Sequence, residues 1–328
     1  MLDRYTRILV TGGAGFIGRH LVAALLELDK QVVVLDSRPT GLDQVLPGGT
    51  LVGADVRDAK KVVQAAEGAE LIFHLAANAN GTRSVLDPRF DFETNALGTF
   101  NVLEAARSAG VQRLVYVSSA SVYGKPKGFP IDEEHPTRPF VPYGASKLSG
   151  ELCCLAFFEA YGLPVVIARP FCVYGPGENP HTSLVEVSRY LRWHLNRRPI
   201  QVVGDLDRKT RDFVYVSDVV QGLLLIADRA PAGEVFNVGS GQETSMRELI
   251  EIIEAVTGRR ALIREIKGVT DDSYRLVADI THLRGLGYVP KVPLEEGVRR
   301  LAGELGEYPA LPSGVTIFRK GQRAEEAV

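Results

Sequence analysis

The chain is predicted to be an α/β protein built on a doubly wound parallel sheet. Three observations predict this. Short β-branched runs alternate with longer helical patterns through the first half of the chain. The runs are apolar throughout rather than alternately polar, as in strands covered on both faces. The first run passes straight into a glycine-rich turn that opens a helix.

Taken in order, "RILVTGG" is the first strand and "GFIGRHLVAALLEL" the first helix, followed by strands "QVVVLDS" and "LIFHLAA". Then come helix "NALGTFNVLEAARSAG", strand "RLVYVSS", helix "SKLSGELCCLAFFEAYG" and strand "PVVIARPF". After about residue 175 the rhythm loosens into "GPGENPHTS", "RYLRWHLNRRPIQVVGD", "RDFVYVSDVVQGLLLIAD", "EVFNVGS" and "SMRELIEIIEAVTG". Short interleaved segments of this kind suit a smaller α/β lobe set over the C-terminal edge of a sheet, where open α/β sheets bind ligands. The polar tail from Ser313 reads as loose.

At 328 residues the chain can bury a large core, which excludes a small disulfide scaffold. Its 38 Lys+Arg balance 40 Asp+Glu, so no strong field draws it to nucleic acid or an anionic membrane. It has neither a basic segment followed by an apolar leader nor an apolar stretch of the roughly 18 to 20 residues that span a bilayer. A soluble cytoplasmic protein with a small-molecule partner is expected. Cys153, Cys154 and Cys172 show no paired-thiol spacing and the histidines no ligand spacing, so no metal is expected.

Gly13, Gly15 and Gly18 form a Gly-x-Gly-x-x-Gly between a strand and a helix. In that context glycines permit a tight turn and let backbone approach a pyrophosphate, whose charge rests on the helix N-terminus. The alternative is a ligand-free turn. Asp36 ends the next strand 18 residues past Gly18, where a carboxylate accepts from ribose hydroxyls and repels a 2′-phosphate. NAD is therefore expected over NADP, with Arg38 nearby as a softening influence. Asp55 and Val56 end a third strand, beside the adenine or simply at a strand end.

Ser118 and Ser119 close strand "RLVYVSS" on opposite faces, so only one readily faces a ligand across the strand ends. Tyr143 and Lys147 of "YGASK" lie one helical turn apart on one face. A tyrosine acting as a base at neutral pH needs its pKa lowered by about three units, or roughly 4 kcal/mol. One cation about 4 Å away at an effective dielectric near 20 supplies about that much. The pair then forms a general base; on an isolated helix it would be a solvated surface pair.

"TGGAGFIG", "HLAA", "SSASVYG", "YGASK", "RPFCVYGPG" and "TRDFVYVSDVV", in this order, resemble the extended short-chain dehydrogenase/reductase family, in its NAD-dependent nucleotide-sugar epimerase/dehydratase branch. The likeness covers about residues 7 to 300. It implies a Rossmann domain over 1–175, rejoined by a strand and helix near 210–240, and a mainly substrate-binding lobe over 176–312. It implies Tyr143 as acid/base, Lys147 as its electrostatic partner and ribose anchor, and Ser119 as the group bonding the reacting sugar hydroxyl. Gly12, Gly15, Phe16, Ile17, Gly18, Asp36, Asp55, Val56, Ala76 and Ala77 become the cofactor positions, with His74 structural. Ser84, Ser119, Cys172 and Arg211 become the substrate positions, Arg211 gripping a diphosphate through its fork.

The same likeness selects a reaction. Hexose 4,6-dehydratases of this branch carry an acid pair after the serine or threonine, whereas this chain has Ala120 and Ser121. Epimerisation at C4 of a UDP-hexose is therefore expected over dehydration, through a transient 4-keto sugar. Decarboxylation, reduction and a non-catalytic NAD-binding role remain alternatives. Two departures touch the substrate: Cys172 stands where the branch has asparagine, and Val269 where it has a second diphosphate arginine, with Lys267 and Arg275 as stand-ins. Helix "SKLSGELCCLAFFEAYG" is apolar on more than one face, so a homodimer through it and "NALGTFNVLEAARSAG" is expected, as in related enzymes.

Overall fold

The computed structural model describes residues 1–38, 49–182, 185–266 and 274–312, together with the backbone of 315–317 and 325–327. In chain order its strands begin with β1 (Arg7–Thr11), β2 (Gln31–Asp36), β3 (Thr50–Gly53), β4 (Leu71–His74), β5 (Arg113–Val117), β6 (Val165–Pro170) and β7 (Cys172–Tyr174). There follow β8 (Ile200–Val203), β9 (Thr210–Arg211), β10 (Phe213–Tyr215), β11 (Val235–Val238), β12 (Thr244–Ser245), β13 (Ile263–Ile266) and β14 (Arg275–Leu276).

Seven of these form one parallel sheet in the order β11-β6-β5-β4-β1-β2-β3. Within each strand, successive side chains enter different cores. Ile8, Val10, Val32, Val34, Phe73, Val115 and Val166 pack with helices Phe16–Glu27 and Val216–Arg229 on one face. Leu9, Val33, Leu35, Ile72, Leu114, Tyr116 and Ile167 pack with helices Ala59–Ala66, Gly98–Ala109 and Pro142–Tyr161 on the other. This two-sided burial is why the strands read as unbroken apolar runs. Each fully buried Val, Leu or Ile contributes about 1.5–3 kcal/mol.

The chain winds outward from β1 to β3, then crosses back to lay β4 on the other side of β1. The direction of winding reverses between β1 and β4, so a crevice opens at their C-terminal ends. Gly12 leaves β1 there, Ala76 follows β4, and Ser118 and Ser119 follow β5. Cys172 begins β7 just past β6, on the same edge.

Smaller sheets stand over that edge: β10 on β7, β8 on β13, and β12-β9-β14. Helices Glu186–Leu195, Met246–Thr257 and Leu294–Leu305 pack among them. Among the described residues no helix is long and apolar enough to cross a membrane, and no cluster of His, Cys, Asp and Glu is arranged to hold a metal ion.

Candidate active site

The turn after β1 is shaped by what cannot fit. Gly12 adopts φ +73°, and a Cβ there would sit 2.6 Å from the Ala76 amide nitrogen. A Cβ on Gly18 would meet the Gly12 carbonyl oxygen at 2.2 Å. Only glycine lets strand, turn and helix close in this way. Helix Phe16–Glu27 then begins with Gly15 as its N-cap, no side-chain cap and no acidic residue in its first turn. Its N-terminal amides and dipole therefore remain available to an anion. Asp36 borders the turn, its carboxylate accepting from the amides of Ala14 at 3.0 Å and Arg38 at 2.9 Å. Asp55 is held by Arg57, whose hydrogen bonds keep its carboxyl below the usual range. Val56 packs beneath helix Gly98–Ala109, and its carbonyl accepts from Asn101 Nδ2 at 2.9 Å.

Past β5 the two serines part. Ser118 is buried, its hydroxyl without a partner among the described residues. Ser119 caps a short 3-10 turn, accepts from the Ser121 amide at 3.1 Å and donates to Ser121 Oγ at 3.1 Å. It also lies close enough to the Tyr143 phenol to act on its proton.

Tyr143 arrives on the first turn of helix Pro142–Tyr161, which Pro142 starts without needing an amide donor. Two glycines let this helix seat closely. A Cβ on Gly144 would lie 2.5 Å from the Ser121 carbonyl oxygen, and one on Gly150 would lie 2.2 Å from the Tyr116 hydroxyl. Tyr116 in turn donates to the Lys147 carbonyl at 3.1 Å, and the Lys147 ammonium rests 4.3 Å from the centre of its ring.

Lys147 is only 1% exposed. Burial pushes its pKa down to about 8, against the opposing pull of Glu151, Cys154 and Asp91. Burial also raises the Tyr143 phenol above its ordinary value, the Ser119 hydrogen bond pulls it back, and Asp91 pushes it up. This departs from the sequence expectation of a lysine holding the phenol down. The ammonium lies over the ring of Tyr116, and depth of burial dominates both groups. His74 bridges Thr11 and Thr99 at 2.7 and 2.9 Å, and burial with Lys147 nearby lowers its pKa to about 3, so the ring is neutral and structural.

A polar cluster that the sequence did not single out lies behind the helix. Asp91 accepts from Ser146 Oγ at 2.6 Å, Asn78 Nδ2 at 2.8 Å and Asn95 Nδ2 at 3.2 Å. Asn95 sits in a π-helical turn, Glu93–Leu97, a distortion frequent at functional sites. The usable signal was Asp91 and Asn95, four apart on one helical face.

At the start of β7 and the end of β9, Cys172 and Arg211 come together. Burial pushes the Cys172 thiol up, so it is neutral. Arg211 is 4% exposed, donates to the carbonyls of Thr210 at 2.9 Å and Tyr274 at 2.8 Å, and stacks 4.4 Å from the Tyr274 ring. Glu186 lies 3.1 Å from Lys209 and 3.8 Å from Arg211. Burial alone would raise the Glu186 carboxyl; the two cations pull it down to about 2.

The NAD-dependent epimerase/dehydratase family model matches residues 8–239. The chain belongs to the NAD-dependent epimerase/dehydratase family. Within this family it is 39% identical over 303 residues to a UDP-glucose 4-epimerase of Mycolicibacterium smegmatis, covering 90% of this chain and 96% of that protein. A crystal structure of the Thermotoga maritima UDP-glucose 4-epimerase with UDP-glucose superposes with a TM-score of 0.86 at 32% identity, over 91% of this chain and 98% of that one. The Thermus thermophilus enzyme in complex with NAD gives 0.83 at 34%, again over 91% and 98%.

Of the positions expected from the family, Gly12, Gly15, Phe16, Ile17, Gly18 and Asp36 gather at one end of the crevice, with Ala76 and Ala77 beside them. Ser119, Tyr143 and Lys147 form the next corner. Ser84 stands apart from the family expectation: it is fully buried, and its hydroxyl donates to the Gly81 carbonyl at 2.7 Å, bracing its own short helix. Arg275 also differs from a stand-in for the missing diphosphate arginine. Registered beside Thr210, it shares that residue's face of the small sheet and pairs with Glu243 at 2.6 Å, opposite the face of Arg211. Lys267 and Val269 lie outside the described residues.

Proposed function

We propose that the chain catalyses the NAD-dependent epimerisation of a nucleotide sugar at C4, acting on a UDP-hexose. The observation that carries this is that Tyr143, on the first turn of its helix, and Ser119, just past β5, come close enough for the serine to act on the phenol, with Lys147 one turn further along the same helix. The residues of the glycine turn fit NAD: the uncapped helix N-terminus suits a pyrophosphate and the Asp36 carboxylate an adenosine ribose. Bound there, NAD would supply the acceptor and donor of hydride at the sugar C4.

The chain's own residues move the proton. Tyr143 takes it from the sugar 4-hydroxyl while Ser119 holds the same oxygen, leaving a 4-keto sugar. Lys147 supplies the positive charge that favours the phenolate and anchors the cofactor ribose. After the ketone turns over in the cleft, the phenol returns its proton and the inverted alcohol forms. Ser121, where dehydratases of the branch carry an acid, is hydrogen-bonded to Ser119 and offers no strong proton donor for elimination.

In this reading residues 176–312 form the substrate lobe, with Arg211 and Cys172 toward the nucleotide end. Incubation with UDP-glucose is expected to yield UDP-galactose at constant mass. Loss of carbon dioxide or water, or no change with any of a panel of UDP-, dTDP-, GDP- and CDP-sugars, would refute it.

We also infer a homodimer through helices Gly98–Ala109 and Pro142–Tyr161. Phe100, Phe157 and Tyr161 form a continuous aromatic rib across the two helices. Phe100 is 43% and Leu152 60% exposed on the same pair. Light scattering is expected to give twice the chain mass; a monomer would contradict this.

A further inference from the structure

Asp91 is 1% exposed, on the short helix Pro88–Phe92 that abuts helix Pro142–Tyr161. All its hydrogen-bond donors are neutral: Ser146, Asn78 and Asn95. Ser146 sits between Tyr143 and Lys147 in the chain, so the carboxylate is bound to the very turn that carries both. Lys147 likewise has no ion-pair partner among the described residues. Burial raises the Asp91 carboxyl above its ordinary value, against the pull of Ser146, Asn78 and Lys147; when ionised, it and the Lys147 ammonium are opposite charges buried without contact, a costly arrangement for packing alone.

The groups facing Lys147 are few. Tyr116 comes from β5 and the neutral His74 from β4; Tyr143, Cys154 and Glu151 come from its own helix. Glu151 is already engaged by Arg169 at 2.7 and 3.0 Å. Asp91 is left as the buried carboxylate that is not shared with another cation. It acts on both members of the pair, favouring the protonated form of Lys147 and of Tyr143.

We propose that Asp91 is a positioning residue for the proton transfer: it locks the Tyr143–Lys147 turn through Ser146 and sets a buried negative charge against the Lys147 ammonium. This rests on the function proposed above.

Asp91→Asn is the variant that separates charge from shape. An asparagine can accept from Asn78 and Asn95 through its oxygen and donate to Ser146 Oγ, whose proton then turns to the Tyr143 carbonyl 3.0 Å away. With the negative charge gone, both limbs of the kcat–pH profile are expected to move in the same direction, to lower pH, by about one unit. Above the alkaline limb kcat should fall by about tenfold relative to wild type and recover on acidification. Ser146→Ala, which keeps the charge, should leave the limbs where they are. A loss of activity at every pH with unmoved limbs would reduce Asp91 to a structural role and overturn the proposal. If Asp91→Asn does not fold, carbon-13 titration of the wild-type aspartates decides: Asp91 must be ionised at pH 7, and a protonated carboxyl overturns it. Wild-type protein inactive at all pH values would refute the function, whereas an active wild type with an unshifted variant refutes only this role.

Discussion

Lys147 lies on the face of Tyr116 with no carboxylate in contact among the described residues, whereas beside β9 Lys209 and Arg211 close on the carboxylate of Glu186. Both corners are buried. In the first the lone charge is depressed to about 8, within reach of physiological pH. In the second the paired carboxyl is driven to about 2, so its charge never changes under working conditions. An unpaired buried charge stays responsive; a paired one becomes scaffolding.

The two corners therefore bear on stability with opposite sign. Lys147 titrates below its unfolded value of 10.5, so the folded chain carries about 3 kcal/mol of penalty at pH 7, relieved as pH rises from 8 toward 10.5. Glu186 titrates below its unfolded value of 4.5, so its pairing contributes about 3 kcal/mol above that pH, lost as pH falls toward 2.

The sharpest break of this contrast is Lys147→Met. It should lower kcat by about 100-fold or more while raising the thermal midpoint by about 2 to 6 °C, read by turnover and calorimetry. A variant both active and less stable would overturn the comparison. Next in size, Glu186→Gln should destabilise by about 3 kcal/mol in urea unfolding at pH 7 without shifting the pH optimum of kcat. A shifted optimum would mean the second corner is not scaffolding. Smallest, Gly150→Ala puts a methyl against the Tyr116 hydroxyl and should cost about 1–3 kcal/mol, with a several-fold loss of kcat as Lys147 is displaced. Unchanged stability and rate would show that the helix seats less tightly than its geometry implies.

Much of this was legible in the order of residues. Unbroken apolar runs announced two-sided strands, Gly13-x-Gly15-x-x-Gly18 announced the turn, and the four-residue step from Tyr143 to Lys147 announced a shared helical face. What was not legible depends on contacts between distant segments. Asp91 meets Ser146 across 55 positions, a partnership no local pattern encodes. Arg275 could be set opposite Arg211 only once β14 was registered against β9, two residues against two. Burial, which raises the Tyr143 phenol, was not legible either, because spacing gives the proximity of a cation along a helix but not the depth at which both groups lie.

The central claim is that the Tyr143 phenol is the group that moves the proton. Tyr143→Phe removes one oxygen beside Ser119 and leaves the glycine turn untouched. The decisive measurement is UDP-galactose formed from UDP-glucose by wild type and variant, each first titrated with NAD. The account predicts equal NAD binding, turnover by the wild type, and a loss of at least about 1,000-fold in the variant. Turnover by the variant at the wild-type rate would contradict it.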